Sequence, residues 1–167
     1  ADIGGTNARF GLVEQTPNTS KPNYTASQQI TLKCANYPDM GSMIKACCAE
    51  FKIDMPEYAC LAIAGPIEHG FAQMTNLGWK FQINELRDQL GMKTLHVIND
   101  FAALAYAVPF LSADETKTLY AADSDPEAPI VVMGPGTGFG MALLVPENGG
   151  WKIIPTEGGH ASFAPTT

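Results

Sequence analysis

Two glycine-rich turns constrain this chain more than anything else in it. The first is Asp2-Ile3-Gly4-Gly5-Thr6-Asn7, and the second runs Gly134-Pro135-Gly136-Thr137-Gly138-Phe139-Gly140. After the first, apolar residues fall at every second position through residues 8–14, Phe10 and Leu12 among them, which predicts a strand. Around the second, residues 130–133 and 141–145 read as strands, so both turns join strand to strand. Glycine lets backbone approach a ligand and turn its N–H groups inward, forming an anion-binding nest. Each turn taken alone also fits an ordinary tight hairpin. The second is not a Walker A sequence, because no lysine follows its last glycine, and Phe139 occupies the final glycine position of a G-x-G-x-x-G pattern. P-loop and dinucleotide turns open a helix, and neither of these turns does. Two common nucleotide folds are thereby excluded.

The rest of the chain alternates strand and helix signals. Residues 16–22 are rich in Pro, Asn, Thr and Ser and read as a turn, followed by a strand over 24–32. Met40, Met43, Ile44, Cys47 and Phe51 follow helical spacing behind a candidate cap, Asp39. Residues 58–64 form a short continuous apolar run, hence a buried strand, and Gly65-Pro66 and Gly70 bracket a hairpin into residues 71–74. Residues 83–90 predict an amphipathic helix ending at Gly91. A buried strand over 95–98 carries Asn99-Asp100 at its carboxyl end, and residues 101–108 read as a helix stopped by Pro109. Ser112-Ala113-Asp114-Glu115 fits a capping box, which predicts a further helix. Residues 121–129 are acidic, hold two prolines and read as a linker; residues 151–154 form the last strand, followed by Glu157-Gly158-Gly159-His160. There is no repeat at solenoid periods. The order predicts a mixed α/β sheet.

Composition narrows the function. A chain of 167 residues with 46% apolar and 16% charged residues can bury a core as one domain or two small ones, and disorder is excluded. No apolar run approaches the roughly 20 residues of a membrane-spanning helix. Ten Lys+Arg against seventeen Asp+Glu give a net charge of −7. No basic stripe replaces counterions along a phosphate backbone, and an acidic surface repels anionic membranes. We therefore expect small-molecule chemistry, with neither nucleic acid nor membrane as partner. Cys34, Cys47, Cys48 and Cys60 form no C-x-x-C pair, which suits reduced, mostly buried thiols in a cytoplasmic protein. Almost no strand precedes the first glycines, and the chain stops soon after Phe163-Ala164-Pro165, so part of a longer protein is expected.

Several polar residues could carry chemistry. Asp2 precedes the first nest, where a carboxylate makes sense if a divalent cation bridges it to phosphates, although aspartate also favours turns. Asp100 lies between an apolar strand and an apolar helix, at the kind of strand end where α/β sheets bind ligands. It could accept a proton from a substrate hydroxyl, and it could equally cap the helix expected from Phe101. Asn99 offers donor and acceptor, as a polyol requires. Glu157 and His160 flank two glycines and could bind adjacent sugar hydroxyls, or form a plain surface loop. Asn76 is a weaker polar candidate, and Trp79 and Phe81 read as core.

Taken together, Asp2-Ile3-Gly4-Gly5-Thr6-Asn7-Ala8-Arg9, Ile98-Asn99-Asp100-Phe101, Gly136-Thr137-Gly138-Phe139-Gly140 and Glu157-Gly158-Gly159-His160 closely resemble the bacterial glucokinase family, in order and separation as well as identity. The resemblance implies the ribonuclease H-like fold of the actin-like ATPase superfamily: a mixed sheet with flanking helices, in a two-domain sugar kinase that is here incomplete. It implies a small N-terminal α/β domain over 1–110 and the beginning of the large α/β domain over 111–167. It implies phosphorylation of D-glucose to glucose 6-phosphate by ATP, with Asp100 as base toward the 6-hydroxyl. Asn99, Asp100, Glu157 and His160 would hold glucose. Asp2, Gly4, Gly5 and Thr6 would form the first phosphate loop, with Asp2 serving Mg²⁺, and Gly136, Thr137 and Gly138 the second. A homodimer is compatible with it. No zinc-binding cysteine cluster follows His160, which favours the plain glucokinase branch over related kinases. The adenosine-binding region, a further glucose-contacting glutamate and most of the large domain are not in the sequence, so these residues alone are expected to be inactive. A kinase for another hexose and a sugar-sensing regulator are the competing readings. The presence of Asp100 and the lack of a basic helix-turn-helix weigh against the regulator.

Overall fold

The computed structural model describes residues 1–16, 23–123, 125, 127–135 and 139–161, and among these all side chains except those of 15, 16, 23–25 and 160. The turn expected over 16–22 therefore lies mostly outside the described residues. The chain divides into two compact units, Ala1–Asp100 and Phe101–Thr167.

In the first unit, the elements are β1 (Asp2–Ile3), β2 (Asn7–Thr16), β3 (Asn23–Lys33), α1 (Met40–Phe51), β4 (Tyr58–Ile63), β5 (Ile67–Glu68), β6 (Phe71–Met74), β7 (Trp79–Gln82), α2 (Ile83–Leu90) and β8 (Thr94–Asn99). A five-stranded sheet has the order β3-β2-β1-β4-β8. β1 is antiparallel to β2, β2 is antiparallel to β3, and β1, β4 and β8 are parallel to one another. β5, β6 and β7 form a separate small antiparallel sheet. The α/β class with a mixed sheet is thus as expected.

Local rules explain the two helices. Asp39 caps α1, its Oδ1 accepting from the Ser42 amide at 2.7 Å, and Met40, Met43, Ile44, Cys47, Cys48 and Phe51 are buried along one stripe. α2 is capped by Gln82, whose Oε1 accepts from the Glu85 amide at 2.8 Å, and ends at Gly91 with φ of 69°. Leu86 and Leu90 of α2 join Ile3, Ala8, Leu61, Ile63 and the α1 stripe in one core. Burial of this kind, worth roughly 1.5–3 kcal/mol per large apolar side chain, ties both helices to the sheet.

In the second unit, β9 (Ile130–Pro135), β10 (Phe139–Glu147) and β11 (Gly150–Thr156) form an antiparallel sheet in the order β11-β10-β9. A helix, α3 (Asp100–Ala107), begins at the junction of the units. Phe101, Ala105 and Val108 recur at helical spacing and pack with Ala142, Leu144, Ile130 and Val132.

Three details depart from expectation. β7 is not among the expected strands: Trp79 is buried and Phe81 packs against the same core, as their size suggests, but their backbone also pairs with β6. The capping box at Ser112 forms, with the Ser112 amide donating to Glu115 Oε2 at 3.0 Å, yet it opens only a single turn over Ala113–Glu115. The residues beyond it, Leu119 and Tyr120, are about nine-tenths exposed, so no buried stripe draws the turn into a helix. Finally, α3 begins at Asp100 itself instead of after it.

Candidate functional site

In the first unit, register builds the site. Ile3 pairs with Ile63, and Ile63 with Asn99, so β1, β4 and β8 end together at one edge of the sheet. Gly4-Gly5 leaves that edge from β1 and Asn99-Asp100 from β8. With one strand between them, the two backbones stand about 10 Å apart. That separation suits a small ligand spanning both.

The first glycine turn is a closed hairpin. The Gly4 amide donates to the Asn7 carbonyl at 3.0 Å, and the Thr6 carbonyl accepts from the Cys34 amide at 2.9 Å. Gly4 and Gly5 are half-buried, while Thr6 is exposed. The Asn76 side chain lies against the turn: a Cβ on Gly5 would come within 3.1 Å of its Nδ2. Asn76, a minor candidate in the sequence, therefore adjoins the first nest. The signal available for it is a run of polar turn residues directly after a buried strand. Asp2 is exposed, with its carboxylate 3.7 Å from Arg9 Nη1, its antiparallel pair partner. In water such a pair is worth little.

Asn99 and Asp100 are both half-buried. The first helical residue is a place where a carboxylate meets the positive end of the backbone dipoles. Capping and proton acceptance thus remain compatible for Asp100, although it sits inside the first turn and not before it.

In the second unit, β9 and β10 frame the second glycine turn. Gly134 pairs with Gly140 and Pro135 with Phe139, while Gly136, Thr137 and Gly138 lie outside the described residues. β11 brings the Glu157–His160 segment back to the same end of this sheet, since Thr156 pairs with Met141. The Gly158 amide donates to Thr156 Oγ1 at 3.0 Å, and Gly158–His160 forms a tight turn. A Cβ on Gly159 would collide with the Phe139 carbonyl, so glycine is required for this approach. Glu157 is exposed, and the His160 side chain lies outside the described set. The structure thus groups Asp2, Gly4, Gly5, Thr6, Asn99 and Asp100 at one sheet edge of the first unit. It groups Glu157 and the 158–160 turn beside the Gly134–Gly140 stem in the second.

Among the described residues, no cluster of three or more His, Cys, Asp or Glu side chains could hold a metal by itself. Nor is any helix among them long and apolar enough to cross a membrane.

Fold and site together define a mixed α/β chain with two glycine hairpins and a carboxylate-bearing strand end. Residues 1–167 match the family model described as Glucokinase, and the chain belongs to the glucokinase family. It is 43% identical over 165 residues to the glucokinase of Chromohalobacter salexigens, covering 99% of this chain and 50% of that protein. The crystal structure of a glucokinase from an Antarctic psychrotroph superposes with a TM-score of 0.83 at 39% identity, over 99% of this chain and 51% of that one. A glucokinase from Balamuthia mandrillaris, solved in complex with glucose, shares the fold with a TM-score of 0.72 at 23% identity, over 99% and 49% of the two chains. The chain spans about half the length of these relatives.

Proposed function

We propose that this chain supplies the sugar-side and phosphate-side loops of an enzyme that phosphorylates D-glucose at its 6-hydroxyl with ATP. The observation carrying the reading is the shared register of β1, β4 and β8, which brings the Gly4-Gly5 turn and Asn99-Asp100 to one sheet edge. The family match supports the same chemistry.

In this reading Asp100 accepts the proton of the 6-hydroxyl as that oxygen attacks the terminal phosphorus of ATP. A half-buried carboxylate suits the role, because it stays within reach of substrate while shedding part of its water. Asn99, Glu157 and His160 hydrogen-bond the remaining glucose hydroxyls and hold the attacking oxygen in line. The turn of Gly4, Gly5 and Thr6 faces the phosphates from one side, with the Gly4 amide closing the hairpin onto the Asn7 carbonyl, and Gly136, Thr137 and Gly138 face them from the other. Transfer of this kind rests chiefly on alignment and charge stabilisation. Asp2 fits Mg²⁺ by its chemistry: a hard cation of this size keeps several waters and needs one or two carboxylates beside phosphate oxygens, so no larger acidic cluster is required. When bound there, the ion would draw negative charge from the phosphates.

The reading carries with it a ribonuclease H-like fold with a small domain over 1–110 and the start of a large one over 111–167. It also carries a cytoplasmic setting and, if the enzyme pairs, a homodimer. The mixed order β3-β2-β1-β4-β8 supports that fold.

Asp100→Ala tests the chemistry in the full-length protein carrying these residues. Turnover should fall about 10²–10⁴-fold while the KM for glucose moves far less. An unchanged kcat would remove the base assignment.

A further inference from the structure

The residue after Asp100 has no place in the chemistry above, yet it packs against the core of the second unit. The Phe101 ring sits on the stem of the Gly134–Gly140 turn, on a cross-strand pair made of two glycines. A Cβ on Gly134 would lie 3.3 Å from the ring's Cζ, and a Cβ on Gly140 would fall on the ring itself. Any larger residue at 140 is therefore incompatible with the ring where it stands. Pro135 pairs with Phe139 in the next rung, and only residues 136–138 lie beyond. The ring thus supports the hairpin one rung below its loop. At its other end, Phe101 is one peptide bond from Asp100, in the same first turn of α3. Ala105 and Val108, farther along the same stripe, continue the packing.

We propose that Phe101 is a positioning residue: its ring, seated in the Gly134/Gly140 notch, fixes the stem of the phosphate hairpin on helix α3 within the second unit. The inference rests on the kinase reading above, because it matters only if the hairpin framed by β9 and β10 acts on the transferring phosphate. A helix turn is stiff, and a planar ring on two Cβ-less residues leaves little lateral play. Displacements near 1 Å at reacting groups cost on the order of 10²-fold in rate, so a support at this spot has catalytic leverage without touching substrate. The notch also explains why glycine stands at both stem positions, where two strand-forming residues would otherwise pair better.

The test is steady-state kinetics and thermal melting of Phe101→Ala, Phe101→Leu and Gly134→Ala in the full-length protein, with Asp100→Asn as control. Phe101→Ala should lower kcat at least tenfold and raise the KM for ATP several-fold, with the KM for glucose within about twofold of the parent. Phe101→Leu, which refills part of the notch, should recover kcat to within about threefold. If Phe101→Ala does not fold, Gly134→Ala serves instead. Its methyl pushes the ring by only a few tenths of an ångström, and it should still shift kcat and the KM for ATP in the same direction. A folded Phe101→Ala protein with parental kcat, or one that loses only melting temperature, overturns the proposal. If Asp100→Asn keeps full turnover, the base assignment falls instead, and if the parent protein does not phosphorylate glucose at all, the kinase reading falls, so these failures are distinguishable from that of the proposal.

Discussion

At the residue scale, the cysteines show how burial sets reactivity. Cys34, Cys47 and Cys48 are buried, whereas Cys60 on β4 is exposed. Burial, with the adjacent Cys48 contributing, pushes the Cys47 thiol up to about 11. Thiolate is the reactive form, so Cys60 should be alkylated first and Cys47 should resist at neutral pH, as mass spectrometry of a maleimide time course would report. The same shift has a pH consequence. The folded thiol stays protonated where the unfolded one ionises, so stability holds below the ordinary value of 9.0 and declines as pH rises toward about 11. Cys47→Ala should show a smaller loss between pH 8 and pH 10.5 in denaturant titrations. Asp39 acts in the opposite sense: the Ser42 amide holds its carboxyl below the usual range. Its contribution is present above the unfolded value and disappears as pH falls through the folded one. Asp39→Ala should cost about 1 kcal/mol at neutral pH, with less of that difference remaining in acid.

At the element scale, legibility in the sequence followed local chemistry. α1 and α2 could be read because apolar period, cap and terminator agree within each segment. β7 could not, since four residues around Trp79 become a strand only through pairing with β6. The Ser112 capping box misled for the converse reason: a correct start signal is not followed by residues with a face to bury. Gly65 makes a related point at the turn after β4. A Cβ there would collide with the Gln73 carbonyl of β6, a long-range approach that no local pattern announces. Gly65→Ala should destabilise the protein by about 3 kcal/mol, since backbone must move to admit the methyl. A melting temperature within a degree of the parent would show that the turn yields more easily than its packing implies.

At the scale of the whole molecule, the two units differ in how much core they own. The first buries Ile3, Met43, Ile63, Met74 and many more around α1 and α2, while the second centres on Ala105, Ala142 and Leu144 among the described residues. The second also leaves an apolar sheet face open, with Val131 at 46% and Met133 at 57% exposure. In the 167-residue chain, amides of β1, β4 and β8 should therefore exchange more slowly with deuterium than those of β9, β10 and β11. Equal protection in both sheets would mean that the second unit draws stability from elsewhere.

The sequence by itself determined the α/β class, most helix and strand positions, and the family, because these depend on periodicity, caps and glycine-rich turns that neighbouring residues encode together. The tertiary structure alone decided which candidate residues meet. Parallel register aligns Ile3, Ile63 and Asn99 and so carries two distant loops to one edge, and the Gly134/Gly140 notch takes the Phe101 ring from more than thirty residues away. Both outcomes depend on contacts between segments far apart in the chain, where spacing along the sequence carries no information about separation in space.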